Sequence, residues 1–263
     1  MSDLVIVTGA SSNHYHCLRH LLFSISLFEP DTRVIVYDLG LKPRQRTGLE
    51  DEGFEVRTFR FENYPPYLDI RVNRGEYAWK PVIIADVLCQ VRGALLWLDA
   101  GNLIHQRLDR VRGALREHGV YTPVSCGNIQ QWTHPLTLEF LKAGPEICLK
   151  PNRNAAIVGL LANSPGISEL AERWKSCALE KGCIAPPGSD RSNHRQDQAV
   201  LSVLIYQFQA LYGYGLVDKF LDISTHNDGR QFDKVQNLLR QSGQDLSKRD
   251  FNRGKTEIPT AGR

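Results

Sequence analysis

The stretch Gly93-Ala-Leu-Leu-Trp-Leu-Asp99-Ala-Gly-Asn102 is a short apolar run that ends in a carboxylate, a glycine and an amide. A run of this length predicts a buried strand, and the polar residues mark the point where it stops. In an open α/β sheet, ligands bind in the crevice outside the carboxyl ends of the strands. Asp99 is therefore a candidate ligand-binding residue, although ordinary turn chemistry before Ala-Gly-Asn also explains an aspartate here.

Outward from this strand, apolar bursts of strand length alternate with segments of helical period. Strands are predicted at 4–7, 34–37, 54–61, 94–98, 121–124, 155–161 and 216–223. Helices are predicted at 18–28, 43–52, from 79 onward, at 167–178 and over 194–208. The alternation predicts an α/β fold with βαβ units, a mainly parallel central sheet and helices on both faces.

Length and composition narrow the class of protein. The 263 residues are 42% hydrophobic and 23% charged, which is typical of a globular chain that buries a sizeable core. We predict a single domain over 1–233 and a polar, partly disordered tail over 234–263. The net charge of +3 does not favour a nucleic-acid partner, and no apolar run predicts a transmembrane segment.

The cysteines and the N-terminus bear on the compartment. None of the six cysteines forms a C-x-x-C pair, so a zinc knuckle is not indicated and most are predicted to be buried thiols. The chain passes from Met-Ser-Asp directly into a predicted strand, without the regions of a signal peptide. A cytoplasmic location is the expectation.

The loop Val7-Thr8-Gly9-Ala10-Ser11-Ser12 follows the first predicted strand and begins like a dinucleotide-binding turn. The further glycines that such a turn needs are replaced by Asn13 and Tyr15, which argues against NAD chemistry. Small residues at a strand end can still hold a nucleotide through backbone and hydroxyl groups. Asp38, at the end of the second predicted strand, is a candidate neighbour.

A second polar group, His194-Arg-Gln-Asp197-Gln198, begins a helix after a loop rich in proline, glycine and serine over 185–193. Residues in a first helical turn lie near exposed N–H groups, and their side chains can point into a pocket. Acidic and amide residues also occur in first turns for stability alone, so both interpretations stay open.

The order of these segments resembles the GT-A-fold glycosyltransferases, especially the retaining glycogenin-like and galactosyltransferase-like group. The matching segments span about 4–208 and comprise 5–12, Trp79-Lys80-Pro81, Trp97-Leu-Asp99, Asn154-Ala-Ala-Ile-Val-Gly159 and Asp197-Gln198. The resemblance implies a Rossmann-like GT-A fold. It also implies transfer of a sugar, with retention, from a nucleotide-diphosphate donor, UDP being favoured, to a hydroxyl of a glycan or other acceptor.

The resemblance also implies roles for individual residues. Asp197 and Gln198 would be catalytic and face the developing sugar cation. The donor would be bound by Thr8, Ala10, Ser11, Asp38, Lys80, Asp99, Asn102 and Asn154. Tyr77, Trp79 and Trp132 are candidates for stacking on an acceptor sugar.

One position departs from the family's pattern. The usual Asp-x-Asp is Asp99-Ala-Gly101 here, so the Mn²⁺ or Mg²⁺ that two carboxylates would hold is in question. Asp99 together with His226 or Asp228 is one candidate set of metal ligands. Lys80, Arg74 or Arg195 could instead neutralise the diphosphate without metal. Because this carboxylate is missing, a non-catalytic nucleotide-sugar-binding module is an alternative function. Asp38 after the second strand makes an S-adenosylmethionine-dependent methyltransferase another alternative.

Overall fold

The computed structural model describes residues 4–225 of the 263-residue chain. Its strands are β1 Leu4–Ala10, β2 Arg33–Asp38, β3 Glu55–Thr58, β4 Ala94–Leu98, β5 Leu103–Ile104, β6 Val120–Tyr121, β7 Val124–Asn128, β8 Pro151–Arg153, β9 Ile157–Leu161 and β10 Ile223–Ser224. Its α-helices are α1 Tyr15–Phe28, α2 Pro43–Asp51, α3 Trp79–Leu88, α4 Asp109–His118, α5 Ile129–Trp132, α6 Pro135–Phe140, α7 Pro145–Cys148, α8 Ile167–Ala178, α9 Lys181–Ile184 and α10 Gln196–Tyr212. Short 3₁₀ turns cover Ser12–His14, Phe61–Asn63, Pro66–Leu68 and Asn73–Tyr77.

The central sheet has six strands in the order β3-β2-β1-β4-β9-β6. The first four are parallel, and β9 runs antiparallel to both of its neighbours. The predicted mainly parallel sheet is thus confirmed. Strand order reverses between β1 and β4, which is the switch point where open α/β sheets leave a crevice for ligands.

Both faces of the sheet are covered, because successive strand side chains point to opposite sides. Leu4 and Ile6 pack in one core with α1 and α4, while Val5 and Val7 pack in the other with α3, α8 and α10. Helix α3 is apolar and buried almost all round, as expected for a helix enclosed between the sheet and α8.

Three predicted strands differ clearly from the structure, and the first of them, 54–61, is shortened to β3 at Glu55–Thr58. The segment 121–124 is split: β6 joins the central sheet, and β7 pairs with β8 in a separate sheet. Pro123 lies at the break, since proline has no N–H for a ladder. The predicted strand 216–223 is reduced to β10, because the carbonyl of Val217 and the carboxylate of Asp218 instead bind the buried guanidinium of Arg153.

The prediction that most cysteines are buried thiols is wrong for the described chain. Cys177 and Cys183 form a disulfide between the end of α8 and α9, and Cys89 and Cys126 are exposed. A pair six residues apart has no sequence signature, because its geometry depends on the turn that brings α9 back onto α8.

Within residues 4–225, every helix is too short or too polar to span a bilayer. The predicted boundary at 233, the tail over 234–263 and the candidate ligands His226 and Asp228 lie outside the described residues.

Candidate functional site

A buried lysine lies between two aspartates at the carboxyl edge of the central sheet. The ammonium Nζ of Lys80 is 3.0 Å from Oδ1 of Asp99 and 2.8 Å from Oδ2 of Asp197. The side chains of Lys80 and Asp197 are 4% and 7% exposed, whereas that of Asp99 is 38% exposed. The structure thus brings together residues almost a hundred positions apart, and Asp99 presents the open side of the cluster.

Lys80 reaches this position because α3 begins at the edge of the sheet where β4 ends. The apolar side chains of α3 bury the helix, and Pro81 is tolerated in the first turn because N–H groups there have no intrahelical acceptor. Nζ of Lys80 also donates to the carbonyl of Ala155, just before β9, at 3.3 Å. The polar contacts that this ammonium makes within residues 4–225 therefore lie at one end of the sheet.

The charges of this cluster are mutually dependent. Burial raises the pKa of Asp197, while the attraction of Lys80 opposes that rise. Burial also acts to lower the pKa of Lys80, but the two carboxylates outweigh it and the pKa is raised above its ordinary value. Lys80 therefore stays cationic, because neutralising it would leave two carboxylates facing each other in a poorly solvated place.

Asn102 and Asn154 brace the backbone beside this cluster. The amide Nδ2 of Asn102 donates to the carbonyl of Ala156 at 2.7 Å, and Oδ1 of Asn154 accepts from the amide of Ala156 at 2.8 Å. The amide of Asp99 donates to the same Ala156 carbonyl. Both asparagines are buried, so their observed contacts fix the strand ends around Asp99.

The end of β1 lies beside Asp99, which follows the end of β4. Val7 pairs with Trp97, so the parallel register places Gly9 at the level of Asp99. Thr8 and Ala10 are buried, and the hydroxyl of Ser11 donates to Oδ1 of Asn13 at 3.3 Å. The hydroxyl oxygen of Thr8 has no hydrogen-bond partner within residues 4–225, and it lies in the strand that leads to the crevice.

Asp38 is satisfied within its own turn. Its Oδ1 accepts from the amides of Gly40 and Leu41, and its Oδ2 is 3.3 Å from a guanidinium nitrogen of Arg46. These contacts account for an aspartate at the end of β2 without any ligand. A donor contact by Asp38 would have to compete with them.

The first turn of α10 brings Asp197 to the cluster and directs Gln198 toward β7. The indole N–H of Trp174 donates to the backbone carbonyl of Asp197 at 3.0 Å, which fixes the turn to α8. The amide Nε2 of Gln198 lies 3.5 Å from the hydroxyl of Ser125. Gln196, between the N-terminal cap and Asp197, has a φ of 39° in the left-handed region.

Of the aromatic residues predicted to stack on an acceptor, one is buried and two are half-buried. Trp79 is buried and its indole donates to the carbonyl of Arg74, so acceptor stacking by Trp79 is wrong. Trp132 is half-buried, and the guanidinium of Arg195 covers its ring at 4.0 Å. Tyr77 is half-buried, and Nζ of Lys80 lies 5.9 Å from its ring centre.

Sequence reasoning missed a left-handed turn at the rim of this cluster. Residues 73–77 have φ values of 44°, 60°, 64°, 49° and 54°, and four of these five residues are not glycine. In this turn, Oε2 of Glu76 lies 3.4 Å from the side-chain nitrogen Nε2 of Gln196. The turn therefore contacts the start of α10, where Gln196 also has a left-handed backbone. Strain of this kind is concentrated at functional sites, but no local pattern in Asn73-Arg-Gly-Glu-Tyr77 signals it.

The described residues do not fit a divalent-cation site. No group of three His, Cys, Asp or Glu side chains that could hold a metal occurs within residues 4–225. Position 101 is glycine, and Oδ1 of Asp99 already accepts from the indole of Trp97 at 2.7 Å and contacts Lys80. The ammonium of Lys80 thus takes up the negative charge that a cation would need.

Comparison with solved structures gives the fold. The galactosyltransferase LgtC, in complex with donor and acceptor sugar analogues, aligns with a TM-score of 0.56 and 16% identity over 90% of this chain and 95% of LgtC. The chain has the GT-A glycosyltransferase fold. An active-site mutant of LgtC aligns with a TM-score of 0.55 and 16% identity over 95% of this chain and 99% of that one. At this identity the likeness establishes the fold, and it does not favour a methyltransferase.

Sequence comparisons are less informative. A family model described as a protein of unknown function, DUF1647, matches residues 1–85. That region ends five residues beyond Lys80 and contains the loop after β1. No curated protein matches the chain.

Proposed function

We propose that this protein transfers a sugar from a nucleotide-diphosphate donor to a hydroxyl acceptor, with retention at the anomeric carbon. The observation that carries the proposal is the Asp99–Lys80–Asp197 cluster at the switch point of a GT-A fold. Its chemistry suits glycosyl transfer, in which positive charge develops on the sugar and negative charge on the departing diphosphate.

The proposed roles follow from burial and position. We assign Thr8, Ala10 and Ser11, at the end of β1, to nucleotide binding, and Asp99, whose side chain is partly exposed, to a contact with the donor. We assign to Asp197 and Gln198, in the first turn of α10, the stabilisation of the sugar cation by a carboxylate and an amide. Asn102 and Asn154 act through the backbone of Ala156 in this assignment, and Asp38 supports the turn after β2.

Nucleotide binding is the direct test. We expect at least one of UDP, GDP, ADP and CDP to bind in calorimetry, with UDP first, while NAD and S-adenosylmethionine do not. Failure of all four diphosphates at millimolar concentration, alongside binding of another cofactor, would remove the assignment.

Substitution of the two aspartates separates catalysis from donor binding. Asp197→Asn keeps the shape of the side chain and is expected to lower turnover about 100-fold or more, with a smaller change in donor affinity. Asp99→Asn is expected to weaken donor binding. Both are to be measured as release of the nucleoside diphosphate from the donor sugar, with circular dichroism as the folding control. Full turnover in folded Asp197→Asn would leave that residue only a structural role.

A non-catalytic nucleotide-sugar-binding module is the second candidate, because Gly101 replaces a carboxylate that the family usually has. Such a module would bind the donor without releasing the diphosphate, whichever acceptor is supplied.

A cytoplasmic location remains a prediction. The Cys177–Cys183 disulfide argues against it, because reducing compartments disfavour disulfides.

A further inference from the structure

Two arginines from distant parts of the chain converge on one hydroxyl at the rim of the cluster. Nη1 of Arg74 lies 3.5 Å from the hydroxyl oxygen of Tyr77, and Nη1 of Arg191 lies 3.3 Å from the same oxygen. The guanidinium carbon of Arg191 is 5.9 Å from the centre of the Tyr77 ring, and Nζ of Lys80 is equally far from it. Tyr77 is therefore a shared neighbour of both arginines and of Lys80.

Neither arginine is neutralised by the rest of the described chain. Within residues 4–225, no carboxylate lies within ion-pair distance of Arg74 or Arg191. Asp190, next to Arg191, instead accepts from the amide and hydroxyl of Ser192, and Glu76 faces Asn73 and Gln196. Each guanidinium has five N–H donors, and a long bond to a phenol uses only one of them.

The backbone holds this arrangement at a cost. Arg74 and Tyr77 lie three residues apart on the left-handed turn, which brings both side chains to the same side. Gly75, at its centre, is packed so closely that a Cβ there would lie 2.1 Å from the carbonyl oxygen of Leu68. Strain of this kind persists only where the surroundings enforce it.

We propose that Arg74 and Arg191 bind the diphosphate of the donor and take the place of a divalent cation. The inference rests on the proposed function. An anion bound between the two guanidinium groups would relieve the repulsion between their positive charges. Guanidinium groups also match the geometry of phosphate oxygens. Lys80 is occupied by two carboxylates and Arg195 lies on Trp132, so these other candidates contribute less.

The test is calorimetry of the full chain with the nucleoside diphosphate that binds best among UDP, GDP, ADP and CDP, and with its monophosphate. Binding is measured in EDTA and in MnCl₂. We expect the same affinity for the diphosphate in both. Arg74→Gln and Arg191→Gln are each expected to weaken diphosphate binding about tenfold or more, with a smaller effect on the monophosphate.

Arg71→Gln is the matched control, because Arg71 lies on the same segment, is exposed and is paired with Asp69. It should bind the diphosphate as the parent does. Diphosphate binding that requires MnCl₂, or unchanged affinity in both arginine variants, would overturn this inference and leave the proposed function standing. Absence of binding by all four diphosphates would overturn both.

Discussion

Lys80 shows what a single buried charge can organise. Its ammonium links α3, β4, β9 and α10 through Asp99, Asp197 and the carbonyl of Ala155. Breaking a buried pair typically costs about 3–5 kcal/mol, because the remaining charge is left uncompensated. When either aspartate is changed to asparagine, Lys80 still has the other carboxylate as a partner, and the amide keeps the shape of the side chain. We therefore expect the asparagine variants to fold.

Gly101 offers a way to restore the missing carboxylate. Within residues 4–225, a Cβ at this position would have no neighbouring atom within 4 Å, so Gly101→Asp should fold. The new side chain would follow Asp99 by two residues and supply a second hard oxygen ligand. We expect Mn²⁺ to increase nucleoside diphosphate affinity in this variant and not in the parent. Calorimetry decides, with Gly101→Asn as the uncharged control; an equal Mn²⁺ response in parent and variant would contradict the expectation.

His194 makes stability depend on pH. It is fully buried: its Nδ1 accepts from the amide of His134 at 3.2 Å, and its Nε2 donates to the carbonyl of Ile184 at 2.9 Å. Burial, aided by the charge of His134, lowers the pKa of His194 to about 4 against the opposing hydrogen bond to Ile184. A second proton would have to sit on Nδ1, which faces an N–H donor.

The sign follows from the two pKa values. Between the unfolded value of 6.5 and about 4, the unfolded chain binds the proton and the folded chain does not, so stability is lost as pH falls. The loss should reach about 3 kcal/mol. Urea denaturation from pH 7 to 4 measures it, and His194→Gln should flatten the profile. Parallel curves for parent and variant would show that His194 does not titrate in this range.

At the scale of elements, two glycines in helical segments should behave oppositely. Gly75→Ala adds a Cβ that collides with Leu68 at a φ of 64°, so it is expected to cost more than about 2 kcal/mol of unfolding free energy. Gly113 lies inside α4, where an added Cβ would have no neighbour within 4 Å in the described part of the chain. Gly113→Ala should therefore stabilise by about 0.5–1 kcal/mol. Thermal unfolding of both variants checks this; equal effects would show that the turn relaxes easily.

The elements also show where sequence reasoning succeeds. β4 was predicted with its observed bounds, and α1, α2, α3 and α8 within a few residues, because each combines an apolar pattern with a clear start or stop. The predicted strand 121–124 is divided at Pro123. The predicted strand 216–223 is mostly lost because Val217 and Asp218 bind the guanidinium of Arg153, more than sixty residues away in sequence. Local pattern carries no record of such distant partners.

For the molecule as a whole, the alternation of segments predicts the mainly parallel sheet, because βαβ connections leave few topologies; the strand order and its switch point come from the structure. The order of the motifs also placed Asp99, Lys80 and Asp197 in one crevice, which is where the structure has them. Arg191 was missed, since its place beside Tyr77 depends on how the loop over 185–195 folds back. The left-handed turn was missed because its residues resemble any polar loop.

The enclosure of α3 has a consequence for the slowest motions of the protein. Nine of its ten residues are buried, so amide hydrogens beyond its first turn can reach water only when the central core opens. We expect their deuterium exchange to be governed by global unfolding, while the amides of Arg191 and Ser192 exchange through local opening. A mild denaturant would then accelerate exchange in α3 far more than in that loop. On this expectation, Lys80 belongs to the same cooperative unit as the core, whereas Arg191 belongs to a loop that opens independently.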